Sequence, residues 1–207
     1  MCNPLNKLEY PDFFDTIETV KLRDPLADFL GALEDGYVEF SYLDVVKSAG
    51  HSCPSVAGAY LMALCGLKEL YKDTLPVRGE IKVCFRGDSL EGVNGVIANV
   101  FTQITGATQS FGFKGIAGNF ARDKLLYFNE AIKGEIKLTN ITNGRSVEVR
   151  YTPEKIAIEP RQKELMEKII KKSASIEEQK EFKILWQARV QKIFSDIDEV
   201  IEVITPL

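Results

Sequence analysis

The chain has 207 residues, 45% apolar and 27% charged, with a formal net charge of −4. That length can bury a substantial core without disulfide or metal staples, and the acidic balance argues against a nucleic-acid or membrane-surface role. With no apolar run near the ~20 residues of a membrane span and no leader-like N-terminus, the expectation is a cytoplasmic protein with neither a nucleic-acid nor a membrane partner.

In chain order, residues 11–34 read as two short helices. Asp24-Pro25 supplies a cap and a first-turn proline, and Leu26, Phe29, Leu30 and Leu33 follow at helical spacing up to Gly36. Tyr37–Phe40 reads as extended, and Leu43–Ala49 as a short helix stopped by Gly50. Pro54–Tyr71 is the clearest helix: Cys53 takes the N-cap, Pro54 takes N1, and apolar residues cover nearly every face. Such a helix belongs at the centre of a fold, with Gly58 and Gly66 admitting close neighbours. Residues 79–86 alternate as a strand, which puts Cys84 with Lys82 and Arg86 on the more polar face. A second apolar helix runs from Val93 to Ile104 and stops at Gly106.

Residues 107–122 are glycine-rich and irregular, and an extended segment follows near Leu125–Asn129. Asn143-Gly144 marks a hairpin between arms Glu135–Asn140 and Ser146–Tyr151. Beyond Pro153 the chain turns charged and helical. Arg161–Lys172 is one helix, and the capping box Ser175-x-x-Glu178 opens another whose stripe is Phe182, Leu185, Trp186, Val190 and Ile193. Val200–Ile204 reads as a closing strand. The sum is an α+β protein: a central buried helix on a mostly antiparallel sheet in a core of residues 1–153, and a helical C-terminal extension, 154–207, packed on that core or on a dimer partner.

The chemistry concentrates at Gly50-His51-Ser52-Cys53-Pro54, which holds the chain's single histidine. A helix N-terminus favours thiolate over thiol, which helps both metal ligation and nucleophilic attack. Imidazole and thiolate are good metal ligands and equally a base and nucleophile for catalysis. A zinc ion needs further ligands, and Cys84, Asp88 and Glu91 are the candidates to complete a set. The cysteines are Cys2, Cys53, Cys65 and Cys84, and none shares C-x-x-C spacing. The loop Phe111–Gly118 lacks P-loop spacing and reads as tight turns lining a pocket. Lys114 and Arg122, with Asp88 and Glu91, are candidate substrate-binding residues.

The stretch from Ala49 to Tyr60, AGHSCPSVAGAY, resembles the FmdE-like family, which takes its name from a component of formylmethanofuran dehydrogenase. The Gly87-Asp88 turn, the Ile104–Thr108 segment and the Phe-Gly-Phe-Lys-Gly loop resemble the family's second half, so the likeness spans residues 40–130. The resemblance implies an α+β core, a metal cofactor, usually zinc, a homodimer, and association with formylmethanofuran dehydrogenase operons or anaerobic one-carbon and molybdenum/tungsten metabolism. It assigns metal-binding or active-site roles to His51 and Cys53. Many relatives carry a cysteine after the strand, where this chain reads Arg86-Gly87-Asp88-Ser89-Leu90-Glu91-Gly92. Some also carry a C-terminal zinc finger, which this chain, without a cysteine after Cys84, lacks.

The leading expectation is therefore a metal-binding FmdE-like protein, an accessory or an enzyme, that takes a small-molecule ligand. One alternative is a metal-free cysteine enzyme with Cys53 as nucleophile and His51 as base. Another is a non-catalytic interaction module with Trp186 and the C-terminal helices as its partner face.

Overall fold

The computed structural model describes residues 8–205 of the chain; Cys2 lies outside them. After a 3-10 turn at Asp12–Thr16, the elements are β1 (Val20–Arg23), α1 (Pro25–Phe29), β2 (Tyr37–Phe40), α2 (Tyr42–Ala49), α3 (Pro54–Tyr71), β3 (Ile81–Phe85) and α4 (Asn94–Thr105). There follow β4 (Leu126–Tyr127), β5 (Ile136–Asn140), β6 (Ser146–Tyr151), α5 (Pro160–Ile170), α6 (Ile176–Ser195), α7 (Ile197–Val200) and β7 (Ile201–Ile204). Strands β1 and β2 form an antiparallel pair, and the other five form one sheet in the order β4-β3-β5-β6-β7. Within it only β3–β4 is parallel.

Helix α3 is the centre the sequence calls for. Thirteen of its residues are buried, and it packs on β5, β6 and β7, with α4, α2 and α6 around it. Its two glycines set the distance to the sheet. A Cβ on Gly58 would stand 2.2 Å from the Tyr151 ring, and one on Gly66 2.8 Å from Leu138, so only glycine lets these side chains lie on the helix backbone. Beside α3, the rings of Phe14, Tyr42, Tyr60 and Phe194 form an edge-to-face cluster that ties the N-terminal turn, α2 and α6 to one core.

The residues after 153 belong to this packing. Strand β7 pairs with β6, with Val203 opposite Val149, and α6 buries Val190 and Ile193 against α3. The capping box forms as its spacing predicts: Ser175 Oγ accepts from Glu178 N–H, and the Glu178 carboxylate accepts from Ser175 N–H.

The reading of residues 11–34 as two helices needs correction. A strand, β1, lies between a 3-10 turn and a single-turn helix. Four residues, VKLR, alternate buried and exposed, a pattern too short to outweigh the helical spacing around it. Asp24 caps α1 as expected, but the helix ends at Phe29, and Gly31 takes φ +67°. Phe29, Leu30 and Leu33 are left exposed.

Candidate functional site

The turn into α3 is held on both sides. Helix α2 ends on Gly50 in the left-handed conformation, φ 76°, which reverses the chain at His51. The Ser52 hydroxyl donates to Gln187 Oε1 at 3.0 Å, so the Tyr42 hydroxyl, also at 3.0 Å, donates to it. Ser52 C=O accepts from Trp186 Nε1 at 2.9 Å and Gln187 Nε2 at 3.3 Å. On the other flank, the Tyr151 hydroxyl donates to Pro54 C=O at 2.8 Å. Cys53, between them, is extended at the N-cap and half-buried, and its Sγ accepts the Val56 N–H at 3.5 Å. The thiol is thus placed by α2, α6 and β6 together. Burial pushes the phenols of Tyr42 and Tyr151 above their ordinary pKa, and the nearby Cys53 adds to that push when ionised, so both stay protonated donors at neutral pH.

Next to this turn lies a cleft of about 350 Å³. The head of α3 contributes Ser55; the β3–α4 loop contributes Arg86 and Glu91, and the start of α4 Asn94; Glu135 and Tyr151 come from the sheet's end and Glu154 from the turn after it. Gly87 leaves room for the ends of two cleft side chains: a Cβ there would stand 2.6 Å from both Glu91 Oε2 and Asn94 Nδ2. Glu135 is partly buried and accepts the Tyr151 N–H at 3.2 Å. Burial pushes its carboxyl above the ordinary range, against the lowering influence of that N–H, Arg86 and Arg150. The cleft carries three carboxylates against one guanidinium.

The residues singled out in the sequence do not gather into one site. His51 is exposed, with Nδ1 3.0 Å from Ala49 C=O, and lines a separate small depression with Asn99 and Gln103. Among the described residues no hydrogen bond joins it to Cys53. Cys84 lies on β3 opposite Lys137 and beside Tyr127, where burial raises its pKa. Its face of the sheet is polar as expected, but the thiol itself is buried. Asp88 is a turn residue: it accepts from Leu90 N–H at 2.9 Å and Asn129 Nδ2 at 2.8 Å, which hold its pKa down. Glu91 reaches the cleft. Lys114 pairs with Asp123 at 2.8 Å, and Arg122 is buried beside Asp24 in a second cleft.

Zinc takes at least three ligands from its protein. Among the described residues no three His, Cys, Asp or Glu side chains are grouped to hold a metal ion. Among the described residues, His51 and Cys53 supply two donors at most and do not by themselves complete a zinc set. The third ligand expected from Cys84, Asp88 or Glu91 is not brought to that pair.

Glu135, Arg86, Tyr151 and the Trp186–Gln187 clasp are not marked as site residues by the sequence. Their local signals are ordinary ones, a strand end, a turn and an apolar stripe, and only the fold joins them. Among the described residues no helix is long and apolar enough to cross a membrane.

A family model described as FmdE, molybdenum formylmethanofuran dehydrogenase operon, matches residues 49–202. The match takes in α5, α6, α7 and the first two residues of β7, well past the 40–130 stretch that carried the resemblance. Comparison with curated proteins gave no match.

Proposed function

This chain belongs to the FmdE family, and from that premise we propose that it is a formylmethanofuran dehydrogenase-associated accessory protein whose working site, the cleft at the head of α3, takes a small cationic ligand beside the Cys53 thiol. The observation that carries this reading is the charge of the cleft: its wall holds Glu91, Glu135 and Glu154 against Arg86, and burial raises the Glu135 carboxyl in spite of Arg86 and Arg150. A cation brought beside a partly buried carboxylate stabilises its ionised form. Cys53 stands two residues before Ser55 in the chain and beside Pro54, whose C=O bonds the Tyr151 hydroxyl; Ser55 and Tyr151 both line the cleft. An amine and a metal ion are the two cations this chemistry accommodates. For the metal, His51 would have to turn from its own depression toward Cys53, and further donors would have to come from beyond the described residues of one chain.

Calorimetric titration of the full chain with butylamine and with zinc chloride tests the reading, alongside Cys53 alkylation by iodoacetamide. One titrant is expected to saturate and to slow alkylation. Glu135→Gln should weaken the binding of that titrant about tenfold. Amine binding should strengthen as pH rises through the Glu135 titration, because the carboxyl must ionise to attract it. Zinc bound at one equivalent and lost in His51→Ala/Cys53→Ala would identify the family's expected cofactor. If neither titrant protects Cys53, the reading fails.

A further inference from the structure

Arg122 is a buried charge with too little to hold. The glycine-rich loop doubles back through paired hydrogen bonds between Ile116 and Asn119 and carries Arg122 to Asp24, 98 positions earlier. Its side chain is 8% exposed, and Nη2 donates to Asp24 Oδ1 at 2.5 Å. Among the described residues no other hydrogen bond reaches this guanidinium, and Nη1 is buried without a partner. Most of its N–H groups are therefore unused, an exception to the rule that buried polar groups are satisfied.

Asp24 has nothing more to give. Oδ2 accepts from Arg78 Nη1 at 2.8 Å, and Oδ1 also accepts the N–H groups of Leu26 and Ala27. One carboxylate thus serves two guanidiniums. Arg78 makes its remaining bonds to the carbonyls of Ile104 and Gln103.

Both arginines line a cleft of about 370 Å³, the size of a small-ligand site. Nη1 lies over Gly79, another wall of that cleft; a Cβ there would stand 2.1 Å from it. The acidic groups of the cleft are already engaged. Glu80 accepts from the Thr142 hydroxyl at 2.7 Å, and Asp123 pairs with Lys114 at 2.8 Å. Pro25, Phe120, Leu125 and Ile141 make the rest of the lining partly apolar.

We propose that this cleft binds a small organic oxyanion, a carboxylate or a phosphate ester, with its charged end on the Arg122–Arg78 pair and its apolar remainder against Phe120 and Ile141. The planar fork of arginine matches such groups through paired, charge-assisted hydrogen bonds. The proposal shares no residue with the head of α3 and stands or falls separately from that reading.

Isothermal titration of the full chain with inorganic phosphate, and separately with butyrate, tests it. Saturable binding of either probe with a Kd in the range of about 1–10 mM is expected. Arg122→Gln should weaken it about tenfold. Ile141→Asp puts a negative charge at a position that is 50% exposed, which spares the fold, and should weaken binding about threefold. Saturation by phosphate alone assigns a phosphate ester, and by butyrate alone a carboxylate. No saturable heat for either probe up to about 50 mM, or an affinity unchanged in Ile141→Asp, overturns the proposal.

Discussion

At Gly58 a missing side chain fixes both the packing of α3 and the setting of the thiol. The Tyr151 ring occupies the place a Cβ would take, 2.2 Å from it, and the same residue's hydroxyl holds Pro54 C=O beside Cys53. Gly58→Ala drives the ring off the helix, so overpacking should cost about 1–3 kcal/mol. It should also change the alkylation rate of Cys53, because the Tyr151–Pro54 bond lengthens with the ring's displacement. Urea denaturation measures the first effect and iodoacetamide kinetics the second; a destabilised variant with an unchanged alkylation rate would separate Tyr151 from the thiol. Cys53 as N-cap was legible from Pro54 alone, because a proline at N1 loses nothing and fixes where a helix begins. Its clasp was not: Trp186 bonds Ser52 across 134 positions, and no local pattern reports a partner that distant. His51 is the converse case. Two residues from Cys53 in sequence, it is turned by Gly50 to bond Ala49 C=O and lines a different depression.

Helix α6 read in the sequence as an apolar stripe seeking a surface, and the surface it found is α3 and the turn that opens it. Val190 and Ile193 are buried there, while the Trp186 indole and Gln187 amide hold Ser52. These two contributions separate by substitution. Trp186→Phe keeps a ring but removes the Nε1 bond, at about 1 kcal/mol; Trp186→Ala also removes the packing, at about 3 kcal/mol. Both should alter Cys53 alkylation in the same direction, which a purely packing role for α6 would not produce. The long elements were legible because their period is sustained: α3, α4, and the hairpin β5–β6 around Asn143-Gly144 all fall where the pattern put them. Strand β1 was not. It has four residues and exists because β2 supplies its hydrogen bonds, information that lies outside the segment itself.

Over the whole molecule, two carboxylates with opposite displacements shape the stability–pH curve. Burial of Asp24 works against its charge, but the Arg78 hydrogen bond and the charges of Arg122 and Arg78 outweigh it and hold the pKa below the ordinary value. A depressed native pKa adds stability above the unfolded value of about 4, lost as pH falls through the native one. Glu135 is raised instead, by burial first. Its favourable contribution is complete below about 4.3 and is lost as pH rises through its native value. Asp24→Asn leaves two guanidiniums facing a neutral amide and should cost about 3–5 kcal/mol at pH 7, a deficit that narrows in acid, where Asp24 itself is protonated. Glu135→Gln should do the reverse. A glutamine amide keeps an acceptor for the Tyr151 N–H without the charge, so the variant should match the parent in acid and exceed it at neutral pH. Urea denaturation of the parent and both variants from pH 3 to 8 reads the two windows separately. A Glu135→Gln chain no more stable than the parent at pH 7 would mean that the carboxylate is already compensated. With that, the case for a cation at the head of α3 would lose its electrostatic ground.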